Sequence, residues 1–450
     1  MEGHLPRLCV MNNFFVVIRA LKRRLGESAS PEGLIASAGR GAEITKQVRL
    51  LESYSRERAR RGRRCGDMPR SLSRTAIVMF FCLGCSENAA TVVQPPPPPP
   101  PDVYPVNATQ LTKLAAFDLV GDTRRDLITV ARGDGSIRIL PGEAGGAFAD
   151  ALAFTAGGDP DQAAAGDVNG DGIADLLVIN HLENALDVRL GLGGGRFAAA
   201  VTYPLRNHGN RLVVADLNGD AFADVVAAHD GSGAPLYVTA FVGSATGTLQ
   251  QAWELGTPYF TTQAIGAGDF DGDGKTDVAI ALGDNRVSVL VFHGMGTGAF
   301  AEPVALPTVS ADPDISDGTT GLAVGDLNGD GRDDIVVACF MFSNRLVVRL
   351  STGSGFTDPV SIALPSPVAV ALGDLNGDGR LDAAAANIEE GTVSLLYGNG
   401  DGSFQEPVAV PMGTHPSSLA VADFDGNGFA DIAVTDLSDN AIRVRLMGLR

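Results

Sequence analysis

Asp269-Phe270-Asp271-Gly272-Asp273-Gly274-Lys275-Thr276-Asp277 is the stretch that decides the fold. Carboxylates stand at positions 1, 3, 5 and 9 of a nine-residue loop, with glycines at 4 and 6. The apolar run Val278-Ala279-Ile280-Ala281-Leu282 follows at once. A hard cation such as Ca²⁺ takes six to eight oxygens at about 2.3–2.6 Å from a chain curled around it. Side chains at 1, 3, 5 and 9, with the backbone carbonyl of Lys275 at position 7, meet most of that demand. The glycines permit the partly left-handed backbone that gathers them.

The loop is written seven times. Its copies begin at Asp118, Asp167, Asp216, Asp269, Asp326, Asp374 and Asp423, at intervals of 49, 49, 53, 57, 48 and 49 residues. A period near 50 that carries several short β-runs is the signature of a propeller or a related array. The sixth unit shows the pattern. Val370-Ala-Leu-Gly373 approaches the loop, Asp382-Ala-Ala-Ala-Ala-Asn387 leaves it, and Thr392-Val-Ser-Leu-Leu-Tyr397 alternates as a strand. A glycine turn, Gly398-Asn-Gly-Asp-Gly402, then leads into Phe404-Gln-Glu-Pro407-Val-Ala-Val410. Four strands per repeat make a propeller blade.

The last repeat stops at its third strand, Ile442-Arg-Val-Arg-Leu446, and lacks the Phe-x-x-Pro-Val strand. Val103-Tyr104-Pro105-Val106 supplies a match, with Pro303-Val304, Pro359-Val360 and Pro407-Val408 as its counterparts. A ring that borrows its last outer strand from the chain's beginning leaves no open sheet edge. The expected fold is therefore all-β, a seven-bladed β-propeller with four-stranded blades over residues 103–450.

The loops differ in donors. The second offers Asp167, Asn169, Asp171 and Asp175 with the carbonyl of Ile173, and the fifth Asp326, Asn328, Asp330 and Asp334 with that of Arg332. The sixth offers Asp374, Asn376, Asp378 and Asp382 with the Arg380 carbonyl. The seventh offers Asp423, Asp425, Asn427 and Asp431 with the Phe429 carbonyl. The third keeps Asp216, Asn218, Asp220 and Asp224 but places Ala221 where a glycine relieves strain, so weaker binding is expected. The first, from Asp118 to Asp126, has Val120 at position 3 and Thr123 at position 6 and is expected to bind little or nothing. Helix–loop–helix calcium sites need an acid at position 12, where this chain has Val178, Ile280, Val337 and Ala385. Metal-free tight turns would explain Gly and Asn but not three or four carboxylates brought together. Ca²⁺ is the expected cofactor, as Mg²⁺ prefers fewer protein ligands and more water.

With these motifs in register, residues 103–450 resemble the FG-GAP/VCBS repeats of bacterial surface proteins, related to the propeller of integrin α subunits. The carrying motif is D-x-[DN]-G-[DN]-G-x-x-D-[ILV], with Gly-rich turns ending in Phe such as Gly398–Phe404. The resemblance implies a calcium-binding propeller. It implies no particular ligand, since one fold serves many functions.

Charge is divided unevenly. Residues 1–85 carry 16 Lys/Arg against 7 Asp/Glu, whereas residues 86–450 carry 18 against 46, a net of −28. Of those 46 acids, 22 occupy odd positions of the loops, so much of the acidity is metal ligand. Nucleic acid is excluded as a partner, because phosphate binding needs basic clusters. Four of the five cysteines precede the repeats, and Cys339 alone cannot form a disulfide within them.

Residues 1–67 are Arg-rich and aperiodic, and read as disordered or upstream of the true start, with residues 12–25 able to form a short basic amphipathic helix. Residues 68–84 read as a secretory signal: a basic start at Met68-Pro-Arg70, then the apolar run 75–84. Ending on Gly84-Cys85, the run resembles a bacterial lipoprotein signal, with Cys85 the lipidated residue, although Cys82 and Leu83 depart from the usual lipobox. Residues 85–102 hold the unbroken prolines 95–101, an extended tether. The chain is thus expected to be exported: an outer-membrane or cell-surface lipoprotein, or otherwise periplasmic or secreted, and monomeric.

Repeats agree on the loops and disagree between the second and third strands and between blades. There lie Arg206 and His208, and the stretch with Trp253, Tyr259 and Phe260, the candidate ligand-face residues. The alternative for Trp253 is packing between blades. The histidines show no metal spacing, and no nucleophile or phosphate-loop motif occurs. The expected function is non-catalytic recognition of a protein or glycan at the cell envelope. A polysaccharide lyase or hydrolase working in the channel, and a bare envelope scaffold, are the alternatives.

Overall fold

The computed structural model describes residues 101–231, 234–259, 261–283, 289–307, 318–340 and 343–448. The readings made for residues 1–100, Cys85 among them, lie outside this range. Twenty-eight strands and one 3₁₀ turn, Arg132–Asp134, occur among the described residues, arranged as seven four-stranded antiparallel sheets. Each sheet is one blade.

In every blade the strand that approaches the acidic loop lies at one end of the sheet. These are Leu111–Phe117, Pro160–Gly166, His208–Ala215, Thr262–Gly268, Thr319–Gly325, Pro367–Gly373 and Pro416–Ala422. They neighbour one another around the ring, as do the first and the last, so they line the axis. The next strand outward, for example Asp175–Asn180 or Asp334–Cys339, is buried at every residue. Such a strand is covered on both faces, which is why it reads as a continuous Val/Ile/Leu/Ala run rather than an alternating one.

The core lies between blades. Leu217, Val226 and Val238 of the third blade pack with Val278, Ile280 and Phe292 of the fourth, and the other gaps are filled in the same manner. Small residues set the close approach of the sixth blade, whose second strand is Asp382–Asn387 with four alanines, each fully buried.

The ring closes as the sequence predicts. Asp102–Pro105 pairs antiparallel with Ala441–Arg445, in the register Asp102↔Val444 to Pro105↔Ala441. Val106 and Tyr104 then pack with Phe148 and Phe424, tying the first blade to the seventh.

Each inner strand also slips register once near its start, as between Pro160 and Gln162 or Gly209 and Arg211. A bulge re-aims side chains.

Candidate metal centre

The fourth loop shows how the clamp is built. Asp269 accepts from the backbone N–H of Gly272 (2.8 Å) and Asp273 (3.2 Å) on Oδ1, and from Gly274 (2.8 Å) on Oδ2. Asp271 accepts from Asp273 N–H, and Asp273 from Lys275 N–H. The backbone thus folds around its own carboxylates. The same pattern recurs in the loops from Asp167, Asp326, Asp374 and Asp423. Gly272 and Gly274 hold φ of +77° and +79°.

Position 9 is different. Asp277 is fully buried; its Oδ2 accepts from Phe270 N–H (3.0 Å) and its Oδ1 from Gly294 N–H (2.7 Å), which lies just past the third strand. All seven blades repeat this knot through Asp126, Asp175, Asp224, Asp277, Asp334, Asp382 and Asp431. A side chain on Gly294 would collide with the Thr276 carbonyl, which is why glycine suits that place. Burial raises the pKa of all seven carboxyls, with Asp334 and Asp431 pushed up to about 6. The neighbouring loop acids add to the rise for Asp334 and Asp431.

Two acid groupings bring ligand oxygens within 4.8 Å of one another: Asp269, Asp271 and Asp273, and Asp423, Asp425 and Asp431. A third joins Asp271 and Asp277 to His293, whose Nδ1 lies 3.1 Å from Asp277 Oδ2 and 3.5 Å from Asp271 Oδ2. Sequence reasoning left His293 out of the site, since nothing but its place before Gly294 marks it. These acidic clusters could hold a metal ion. The donors are carboxylate and carboxamide oxygens, which suit a hard divalent cation.

The two divergent loops keep the backbone fold; the first loses its position-3 donor, and the third keeps all four donors but has Ala221 in place of glycine. Asp118 still accepts from the N–H groups of Gly121, Asp122 and Thr123, while Val120 N–H turns to Asp126. Thr123 is forced to φ +72° and Ala221 to φ +71°, both in the left-handed region where a Cβ is strained. In the first, fourth and fifth loops a position-7 cation closes on the position-5 acid, as Lys275 does on Asp273 at 2.5 Å.

The other end of the inner strands carries the variable residues. Arg206, 62 % exposed at its side chain, pairs with Glu254 and sits 5.4 Å from the Tyr237 ring centroid. Glu254 accepts from Thr239, which bonds Nε2 of His229, and His229 Nδ1 accepts from Asn207 N–H. Burial holds His229 down at about 4, so it is a neutral core histidine anchoring the segment that presents Arg206. His208 stacks on His181 with ring centroids 4.5 Å apart. Trp253 is not in a connection. It lies within the outer strand Gln250–Gly256, edge-on to Phe292 and Phe300 of the next blade. Tyr259 is half-buried and its carbonyl accepts from Leu236 N–H; Phe260 lies outside the described residues. Guanidinium groups engage both oxygens of Asp161 on the second inner strand, Arg132 on Oδ1 and Arg211 on Oδ2.

Seven sheets of four strands around an axis, each headed by an acidic nine-residue loop, define a β-propeller of repeated loop-bearing blades. The FG-GAP-like repeat matches residues 118–178, 167–227, 216–280, 269–337, 326–385 and 374–434, and the chain belongs to that family. Among solved structures, BBS1N in complex with ARL6DN is 12 % identical, with a TM-score of 0.53 over 76 % of this chain and 94 % of that one. A Lactobacillus plantarum protein is 19 % identical, with a TM-score of 0.50 over 69 % and 88 %. An Agrocybe aegerita lectin, described as recognising non-reducing terminal N-acetylglucosamine, is 18 % identical, with a TM-score of 0.49 over 73 % and 86 %. These likenesses speak to the fold alone. No curated protein matches the chain.

Proposed function

We propose that this chain is a non-catalytic recognition propeller of the cell envelope, stiffened by calcium in its loops and binding a protein or glycan on the opposite face. The supporting observation is the division of labour between the two ends of the ring. At one end seven near-copies of a single clamp repeat. At the other, Arg206 pairs with Glu254 and His208 stacks on His181.

Calcium fits the donor set. It would take the oxygens of positions 1, 3, 5 and 9 with the position-7 carbonyls, in every loop but the first. The cation would neutralise the position-9 carboxylates, which burial now holds towards the protonated state. BBS1N, of similar fold, is found in complex with ARL6DN, so a propeller can present a surface to a protein partner. Export and the Cys85 anchor belong to the same reading.

A panel of glycans and envelope proteins, screened against the full chain with calcium and with chelator, tests it. Binding lost in Arg206→Ala and His208→Ala variants of unchanged melting temperature supports recognition through this face. Binding that persists in both variants, or a melting temperature that chelator leaves unmoved, refutes it.

A further inference from the structure

The fourth loop departs from the other six in two ways that meet at one point. It carries four carboxylates where each of the others carries three, because positions 3 and 5 are both aspartate, Asp271 and Asp273. It also has His293 directly ahead of Gly294, whose N–H closes the position-9 knot. In the other blades the residue ahead of that knot donor is Pro141, Leu190, Val242, Leu350, Tyr397 or Leu446. The knot is complete in those six without an imidazole, so Asp277 does not need His293 as a donor.

Most oxygens of this loop are engaged already. Asp269 accepts from backbone N–H groups on both of its oxygens, and Lys275 Nζ holds Asp273 Oδ2 at 2.5 Å. Asp271 accepts from Asp273 N–H on Oδ1 and turns Oδ2 to His293 Nδ1 at 3.5 Å, while Asp277 Oδ2 lies 3.1 Å from the same nitrogen. The three side chains come from the loop, the start of the second strand and the residue just past the third strand. Asp277 closes the floor, and Asp271 and His293 are 29 % and 30 % exposed at their side chains, which leaves a way in. Nδ1 carries at most one proton, so it cannot satisfy two carboxylates. A cation between the three atoms satisfies all of them. Ligands about 2.0–2.2 Å from a tetrahedral zinc ion stand about 3.3 Å from one another, between the two distances seen here. Calcium and magnesium are bound through oxygen, whereas imidazole suits the borderline metals. Among the described residues, no other acid grouping includes a nitrogen donor.

We propose that the fourth loop, unlike the other six, selects a borderline transition-metal ion, Zn²⁺ before others, held by His293 Nδ1 with the carboxylates of Asp271 and Asp277. This selectivity rests on the reading of the loops as cation sites and departs from it in the metal. Calcium can still enter through the oxygens, but zinc gains a nitrogen that calcium leaves unused. The imidazole binds as its Nε2–H tautomer, and the Nδ1 lone pair takes the place of the hydrogen bond to Asp277. Three protein ligands leave a fourth position open.

Cadmium substitutes for both calcium and zinc, and the ¹¹³Cd resonance reports its donors: nitrogen moves it downfield of an all-oxygen site, and thiolate moves it further still. The full chain loaded with ¹¹³Cd²⁺ should show one resonance in the nitrogen–oxygen range, apart from the oxygen-only group of the remaining loops and from any thiolate signal of the cysteines ahead of the repeats. Added Zn²⁺ should remove that resonance before any oxygen-only one. Excess Ca²⁺ should remove the oxygen-only group and leave it in place. His293→Gln should move it into the oxygen-only group. Should that variant not fold, Asp271→Asn is read instead. It gives the loop the position-3 residue of four other loops and should raise several-fold the zinc needed to clear the resonance. Absence of a nitrogen-shifted resonance, its loss to calcium together with the others, its persistence in His293→Gln, or unchanged zinc displacement in Asp271→Asn would each overturn the proposal. A melting temperature raised by calcium with no shifted resonance leaves the calcium reading standing and removes this one; a shifted resonance with a melt that calcium does not move does the reverse.

Discussion

Replacing Asp126 by Asn separates the structural work of the position-9 carboxylate from any metal it holds. Loop 1 has lost the position-3 oxygen, yet Asp126 is fully buried and accepts three backbone N–H groups: Leu119 at 2.7 Å, Val120 at 2.8 Å and Gly142 at 2.8 Å. Asparagine has the same shape but one acceptor oxygen. Turned towards Leu119 and Val120, it presents its amide N–H₂ to the Gly142 N–H, donor against donor. An orphaned buried donor costs about 1–3 kcal/mol. The two bonds that remain weaken as they lose their charge assistance. Against this, burial disfavours the ionised Asp126, and a neutral residue relieves that term. The expected net loss is about 2 kcal/mol. Thermal unfolding followed by circular dichroism should show a drop of a few degrees, equal in calcium and in chelator. An unchanged melt would show that the knot is not structural. A drop seen only in calcium would show that loop 1 binds metal after all.

Other expectations follow from the same geometry. Asp118→Ala and Asp269→Ala each remove the acceptor of three N–H groups, so their losses should be similar in chelator, and only Asp269→Ala should lose more when calcium is added; equal losses in calcium would refute the ranking of the loops. Ala221→Gly and Thr123→Gly remove side chains from left-handed backbone and should each raise stability by about 1 kcal/mol, measured by melting; a decrease would contradict the strain. Asp334 and Asp431 have folded-state pKa values of about 6 against the ordinary 3.8, so the folded chain holds those protons more tightly. Their contribution is full below the unfolded pKa and is lost as pH rises through about 6. Metal-free protein should therefore melt higher at mildly acidic pH than at pH 7, with the difference shrinking in calcium; a flat metal-free profile would count against it. A chain lacking residues 1–106 should leave Ala441–Arg445 as an open edge and self-associate, which light scattering would detect.

The sequence reading reached the ring because its signals are local and repeated: carboxylates at odd positions, an apolar run after position 9, and a missing outer strand matched at residues 103–106. It read Asp277 and its equivalents as metal ligands and did not reach the backbone knot they tie. The hint was present in Asp126, kept in a loop that has lost its position-3 oxygen and its second glycine. Trp253 was misplaced because the third blade has longer outer strands, Ala234–Val242 and Gln250–Gly256, and these draw into the sheet a residue that the shorter blades would leave outside it. The pairing of Asp161 with Arg211 of the next blade was out of reach, because each lies beside a register slip that a period-two reading of its strand does not contain.

The closing strand also bears on the order of assembly. Asp102 and Val444 are some 340 residues apart, and joining ends so distant costs about 5 kcal/mol of chain entropy by the logarithmic law for flexible loops. During synthesis the outermost strand of the last blade is made first and waits without a partner until that blade emerges. Closure is then the final event in folding and the first to be undone. A ring latched in this way has one seam, held by four paired residues and by the packing of Tyr104 and Val106 with Phe148 and Phe424.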